Sequence, residues 1–298
     1  MLRRAFEKTL AAAVQALTGV WPARSEERAA VLMYHNVCTL PVAAAGVFQH
    51  VLPHQFAEQM CLLRRLDCRV VSLRRLAEML WSGRPLPPRC VAITFDDGYR
   101  GLLGAWEHLE RHGYPATVFL ATAFIGRPAF RWLDGLGAPA QAVAPLSWEE
   151  VAELARRGAD FGSHTVSHRP LEPLREGELR QELEESRREL EKRLGRRIVL
   201  FSAPFAWPEE EEFGERLSGL LRQARYLAAV TTAVGRVGRW DDLLALPRLP
   251  VSAADSLADF EAKLAGAYDW LRPVQRAYKR WLKPRLVPAA RLARPTPQ

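Results

Sequence analysis

"VAITFDDGYRG", residues 91–101, decides how this chain folds. Its first five residues, apolar apart from one threonine, have the length and composition of a buried strand. Asp96 and Asp97 close that strand, and Gly98 permits a sharp turn into a segment of helical periodicity, 99–112. A strand that runs directly into a helix is half of a βαβ unit. The acid pair carries a second message, because adjacent carboxylates at a buried strand end repel each other and lose hydration. That is costly unless a cation or proton compensates. A metal ion would do so; the plainer alternative is one aspartate capping the next helix while the other faces water.

Outward from this stretch the same alternation repeats. Strand-like runs occur at 30–35, 68–73, 90–95, 116–121, 159–164, 197–203, 226–232 and 244–251. Helical segments at 54–66, 74–81, 99–112, 148–157, 176–194, 212–223 and 256–270 lie between most of them. That order predicts an α/β fold with a parallel sheet covered by helices, and seven or eight repeats predict a closed or nearly closed (β/α) barrel. Ser147 and Glu150 have capping-box spacing, and Gly158 ends the helix they start. Residues 176–195, "EGELRQELEESRRELEKRLG", pair acids with bases and read as a solvated outer helix. Residues 122–147, rich in Gly, Pro and Trp, read as a long loop after the fourth strand, where barrels of this kind build their sites.

Composition excludes some function classes. A chain of 298 residues, 48% hydrophobic and 26% charged, is globular. Its formal charge of +8 resides in residues 270–298, which hold eight Lys and Arg and no acid, so the rest is neutral and a nucleic-acid groove in the core is not expected. Cys38, Cys61, Cys68 and Cys90 form no CxxC pair and read as free thiols. Three segments follow: an N-terminal amphipathic or signal-like stretch (1–29), the barrel domain (30–269) and a basic amphipathic tail (270–298). The tail suits peripheral contact with anionic membrane, or it covers the barrel with its aromatic stripe. A cytoplasmic location, peripheral at the inner membrane, is expected; the alternative is export to the periplasm through the N-terminal segment.

Three histidine pairs share a spacing of four. His108 and His112 end a helix, where histidine suits the dipole, and His50 and His54 flank Pro53, which forbids a regular helix across them. His164 and His168, in "FGSHTVSHRP" (161–170), directly follow a strand, as the aspartates do. In a parallel barrel these groups gather at one rim. Asp97, His164 and His168 would then form a two-histidine, one-carboxylate site suited to Zn²⁺ or another divalent transition ion.

"TFDDG" followed by "SHTVSH" resembles the polysaccharide deacetylase (NodB-homology) family of carbohydrate esterases, and the likeness runs over about residues 30–265 through "LMYHNV", "GYPATVFLATAFIG", "LSWEEVAELARRGADFGSH", "YLAAVTTAVG" and "LPRLPV". The resemblance implies a distorted (β/α) barrel of seven or eight units and metal-dependent removal of acetyl groups from N-acetylated sugars. It implies Asp97, His164 and His168 as metal ligands, commonly of zinc, and Asp96 as general base. No histidine follows His168, so the branch that looks like the poly-N-acetylglucosamine deacetylases, with its acid in an N-terminal "YH", implies His35 as general acid. Arg248 in "LPRLP" is expected either to orient Asp96, as family arginines do, or to face outward.

"FSAPFAWPE" (201–209) departs from the family pattern, with Ala203 before Pro204 and Phe205 where Arg or Tyr is usual and Ala206 where glycine is usual. A main-chain N–H near Ala203 is expected to help stabilise the oxyanion, and Ala203, Pro204 and Phe205 to contact substrate. Phe130 and Trp132 are candidates to stack on sugar faces, whereas Trp148 reads as packing. The expected partner is an N-acetylated glycan, lipid-linked in the membrane-edge version. An O-deacetylase or other metal amidohydrolase on the same fold, and a glycan-binding protein without turnover, are the alternatives.

Overall fold

The computed structural model describes residues 27–39, 50–130, 143–205 and 211–272. The strands are β1 (Arg28–Tyr34), β2 (Asn36–Val37), β3 (His50–Val51), β4 (Arg69–Val70), β5 (Cys90–Phe95), β6 (Ala116–Leu120), β7 (Asp160–Ser163), β8 (Leu200–Ser202), β9 (Ala228–Val234), β10 (Val237–Gly238) and β11 (Leu246–Pro250). The helices are α1 (Pro53–Arg65), α2 (Leu73–Trp81), α3 (Leu102–His112), α4 (Trp148–Arg156), α5 (Glu176–Leu194), α6 (Glu211–Gln223) and α7 (Leu257–Ala265). Seven parallel strands close into a barrel in the order β1, β5, β6, β7, β8, β9, β11, and β11 pairs back onto β1. This is a closed (β/α) barrel of seven units, as the alternation predicts. The run at 68–73 contributes only two residues, β4, beside the start of β5. Ser72 ends it, because its hydroxyl accepts the Arg75 N–H at 3.1 Å and so starts α2.

Strand parity sorts the core into two layers. Val91, Ile93 and Phe95 of β5 pack outward with Phe56 and Met60 of α1 and Trp106 and Leu109 of α3. Ala92 instead joins Val31, Phe119, Leu200, Val230 and Leu246 inside the barrel, and Leu73, Leu76 and Leu80 of α2 close that N-terminal end. Each such large side chain contributes about 1.5–3 kcal/mol when fully buried. Towards the other end the inward positions turn polar: Thr94 and Asp96 continue the line of Ala92, Ser202 that of Leu200, and Arg248 that of Leu246. A dry floor beneath a polar mouth is the outcome.

Phe119 fills the barrel at the height of Gly162. A Cβ on Gly162 would lie 2.4 and 2.5 Å from two Phe119 ring carbons and 2.8 Å from the Leu200 carbonyl oxygen. Gly162→Ala is therefore expected to cost about 1–3 kcal/mol, read as a lower denaturant midpoint at unchanged slope.

Helix α5 differs from the wholly solvated reading. Its salt-bridged face is exposed, but Glu182 and Ser186 are buried, and the Ser186 and Ser163 hydroxyl oxygens lie 2.6 Å apart. The cysteines are free, and burial pushes the thiols of Cys38, Cys68 and Cys90 up to about 11, 12 and 12, which leaves them protonated and unreactive. Trp270 and Leu271, the first residues of the basic segment, pack on the barrel. Residues 1–26 and 273–298, which hold the amphipathic and basic stretches, lie outside the described residues, as does Trp132.

Candidate metal and catalytic site

Asp96 continues the ladder one step past β5, its N–H donating to the Tyr34 carbonyl at 2.9 Å, so its side chain keeps the inward parity of Thr94. The chain then reverses. Asp97 has φ 72° and Gly98 φ 85°, and the Gly98 N–H donates to the Asp96 carbonyl at 2.9 Å. A Cβ on Gly98 would sit 2.5 Å from Leu120 Cδ2, so glycine is required by space as well as by φ. This reversal lets consecutive carboxylates face the same mouth, which an extended strand forbids.

His164 and His168 reach the mouth from the loop after β7. The Nδ1–H of His164 donates to the Ser202 carbonyl at 2.7 Å, which leaves the Nε2 lone pair for a ligand. Thr165 (φ 70°) and His168 (φ 54°) are left-handed, and the His168 N–H donates to Thr165 Oγ1 at 3.0 Å. Left-handed backbone costs about 1–2 kcal/mol per residue in L-amino acids, so Asp97, Thr165 and His168 need other contacts to hold them.

Asp97 Oδ1 lies 3.3 Å from His164 Nε2 and 3.0 Å from His168 Nε2. It is buried and makes no hydrogen bond of sound geometry to either. One donor atom from each residue falls within 4.8 Å of the others. Three donors that converge without bonding one another fit a cation between them, and two imidazoles with one carboxylate suit a divalent transition ion. The local field agrees. Burial lowers the pKa of His164, but the charges of Asp96 and Asp97 reverse this and the net shift is upward. Burial would likewise raise Asp97, but the His164 and His168 imidazoles override it and hold the carboxyl well below the ordinary range.

Asp96 is gripped from inside the barrel. The fully buried Arg248 guanidinium donates through Nη1 to Oδ1 at 2.8 Å and through Nη2 to Oδ2 at 2.6 Å. Arg248 also donates to the Thr231 carbonyl at 2.9 Å, Thr94 Oγ1 at 3.2 Å and Ser202 Oγ at 3.1 Å. The outward alternative for Arg248 is thereby overturned: β11 parity points it inward. Burial pushes the Asp96 pKa up, but the charge and hydrogen bonds of Arg248 outweigh burial and the net shift is downward, so Asp96 is ionised at neutral pH. His35 follows β1 beside Asp96, and its Nδ1 is buried with no hydrogen-bond partner among the described residues. Burial lowers its pKa, the charges of Arg248 and His164 lower it further, and the Asp97 and Asp96 carboxylates do not restore it, so the resting imidazole is neutral.

Other expectations resolve individually. The Ala203 N–H is bonded to the Val230 carbonyl at 3.2 Å, which removes it as an oxyanion donor, and Pro204 has no N–H to replace it. Phe205 is 55% exposed with its ring centroid 4.9 Å from that of His168, an aromatic face at the edge of the mouth. Phe130 is fully buried against Tyr99 and Phe124 and is unavailable to sugar. Trp148 packs on the core beneath Arg193. His54 stands in the first turn of α1 and His50 in β3, while His112 bonds the His108 carbonyl within α3, so neither pair joins the site.

Comparison with known proteins agrees with this geometry. Residues 83–211 match the family described as polysaccharide deacetylase. The chain is 25% identical over 233 residues to YxkH of Bacillus subtilis (strain 168), a protein named as a polysaccharide deacetylase, covering 78% of this chain and 74% of that one. Over 136 residues it is 29% identical to the poly-β-1,6-N-acetyl-D-glucosamine N-deacetylase of Escherichia coli (strain K12), which covers 45% of this chain but 20% of the relative. In fold it matches the Streptococcus pyogenes deacetylase PplD, solved with acetate, at a TM-score of 0.67 and 21% identity over 80% of this chain and 98% of that one. The acid pair at the end of β5 and the histidine loop after β7 both lie inside the stretch, residues 83–211, that matches the polysaccharide deacetylase family.

Proposed function

We propose that the protein hydrolyses N-acetyl groups of hexosamine residues in a polysaccharide, with a divalent ion, zinc by preference, held by Asp97, His164 and His168. One observation carries the reading: a carboxylate kept ionised by a buried arginine, Asp96 on Arg248, opens into the same mouth as a converging carboxylate and two imidazoles. An ion held there would lower the pKa of a water and polarise the acetyl carbonyl. Each Asp96 oxygen keeps a second lone pair beyond its bond from Arg248, and that lone pair accepts the proton of an attacking water. Arg248 keeps Asp96 aimed and charged while it does so. The leaving amine needs a proton, and His35, neutral at rest beside Asp96, must gain one during turnover before it can deliver it. Phe205 offers its ring to a sugar face.

The test is acetate release from β-1,6-linked N-acetylglucosamine oligomers and other N-acetylated glycans. Chelator-stripped protein is expected to be silent until Zn²⁺ is restored. Turnover that survives complete metal removal, or none on any N-acetylated glycan with metal present, would refute the reading. His35→Ala is expected to slow N-deacetylation more than O-deacetylation, because an ester's leaving group needs protonation less; equal effects would remove His35 as the acid.

A further inference from the structure

We infer that Glu182, on α5, is a positioning residue for the metal site. This rests on Asp97, His164 and His168 binding a divalent ion. The Glu182 carboxylate is buried directly beneath the loop that joins the two histidines. Its Oε2 accepts the N–H of Val166 at 2.8 Å and the N–H of Ser167 at 2.9 Å. Its Oε1 accepts the Ser167 hydroxyl and, at 3.3 Å, a guanidinium N–H of Arg169. Four donors from four consecutive residues' span, 166–169, thus converge on one carboxylate from another element.

Those bonds fall where they control ligand geometry. Val166 and Ser167 are the two central residues between Thr165 and His168, both left-handed, and a loop so bent relaxes unless its N–H groups are held. His164 is fixed independently by β7 and by the Ser202 carbonyl. His168 has no such strand; its backbone is held by Thr165 Oγ1 inside the loop, whose first half is anchored by the Thr122 and Ala123 N–H groups donating to the Thr165 and Val166 carbonyls at 3.1 and 3.0 Å, while Glu182 holds the Val166 and Ser167 N–H groups and the half that leads into His168. Glu182 therefore sets where His168 Nε2 stands relative to Asp97 without touching either side chain. Helix α5 is long enough to transmit this rigidly, and Ser186, one turn on, ties the same helix face to Ser163 of β7.

Outer groups that orient metal ligands are worth about 10–100-fold in metal affinity. Glu182→Gln keeps one acceptor oxygen and the side-chain shape; Glu182→Ala keeps neither. The Zn²⁺ dissociation constant of the full chain is expected to rise about 10–100-fold in Glu182→Ala and less in Glu182→Gln, and the visible spectrum of the Co²⁺-loaded protein to change in band position. Ser186→Ala is the control, because it loosens the same helix–strand contact while leaving in place every bond to residues 166–169 and the Thr165 N–H bond to Ser163 Oγ at 3.2 Å, and thermal unfolding confirms that each variant is folded. Glu182→Gln serves should the alanine variant fail to fold. Zn²⁺ affinity and Co²⁺ spectrum like wild type in the folded Glu182 variants overturn the inference, as does an equal loss in Ser186→Ala. Failure of the underlying reading looks different: wild type and His168→Ala would then hold Zn²⁺ equally.

Discussion

An Asp96→Asn variant is expected to turn over N-acetylated glycan about 10²–10⁴ times more slowly than wild type, the range typical of losing a positioned general base. The loss should fall on kcat. Asp96 is not among the three converging donors, so Zn²⁺ stoichiometry should stay at the wild-type value. Asparagine preserves shape but removes the charge, and its NH₂ group presents donors to a guanidinium that already donates at 2.8 and 2.6 Å. Some loss of stability will accompany the loss of rate. The two are separable by measuring turnover well below the variant's unfolding temperature. Asp97→Asn should behave differently, losing metal and rate together and regaining part of the rate at high Zn²⁺. Full turnover in Asp96→Asn would remove it as the base.

The parts of this molecule legible in the sequence are those that depend on short-range pattern. The run 90–95 became β5 without a residue's error, and the acid pair at its end met the histidine pair at 164 and 168 because parallel strands bring all following loops to one rim. Arg248 shows where legibility stopped. Its alternation with Leu246 in "LALPRLPV" would place it inward, yet a buried arginine is acceptable only if a partner waits, and that partner lies 152 residues away. Glu182 was harder still. It flanks the stripe of Leu179, Leu183 and Leu190, but its helix is so rich in acids paired with bases that one buried carboxylate among them leaves no distinct mark. Phe130 failed in the opposite direction: an aromatic in a loop near the site looked available, and packing against Tyr99 and Phe124 claimed it.

Arg248→Met should destabilise the fold by about 3–5 kcal/mol, the cost of leaving a buried charge without its partner. Methionine fills comparable space without charge, so most of the loss comes from Asp96, whose carboxylate would keep no guanidinium. The pH dependence follows from the sign of the shift. In the wild type the Asp96 pKa is depressed, so the pair contributes fully above the unfolded carboxyl value, about 4, and the contribution is lost as pH falls through the folded value. In Arg248→Met burial acts unopposed by the arginine and raises that pKa, so below it the variant regains stability as the carboxyl takes up a proton. The difference between wild type and variant should therefore shrink on acidification, measured as ΔG of unfolding from pH 7 downward. A difference that stays constant with pH would show that the loss is one of packing. The double variant Arg248→Met/Asp96→Asn should recover part of the stability at pH 7, because both members of the pair are then neutral, and recover no turnover. On the proposed mechanism stability and chemistry thus separate at a single contact: the ion pair is dispensable for folding, while the charge it preserves on Asp96 is what would take a proton from water.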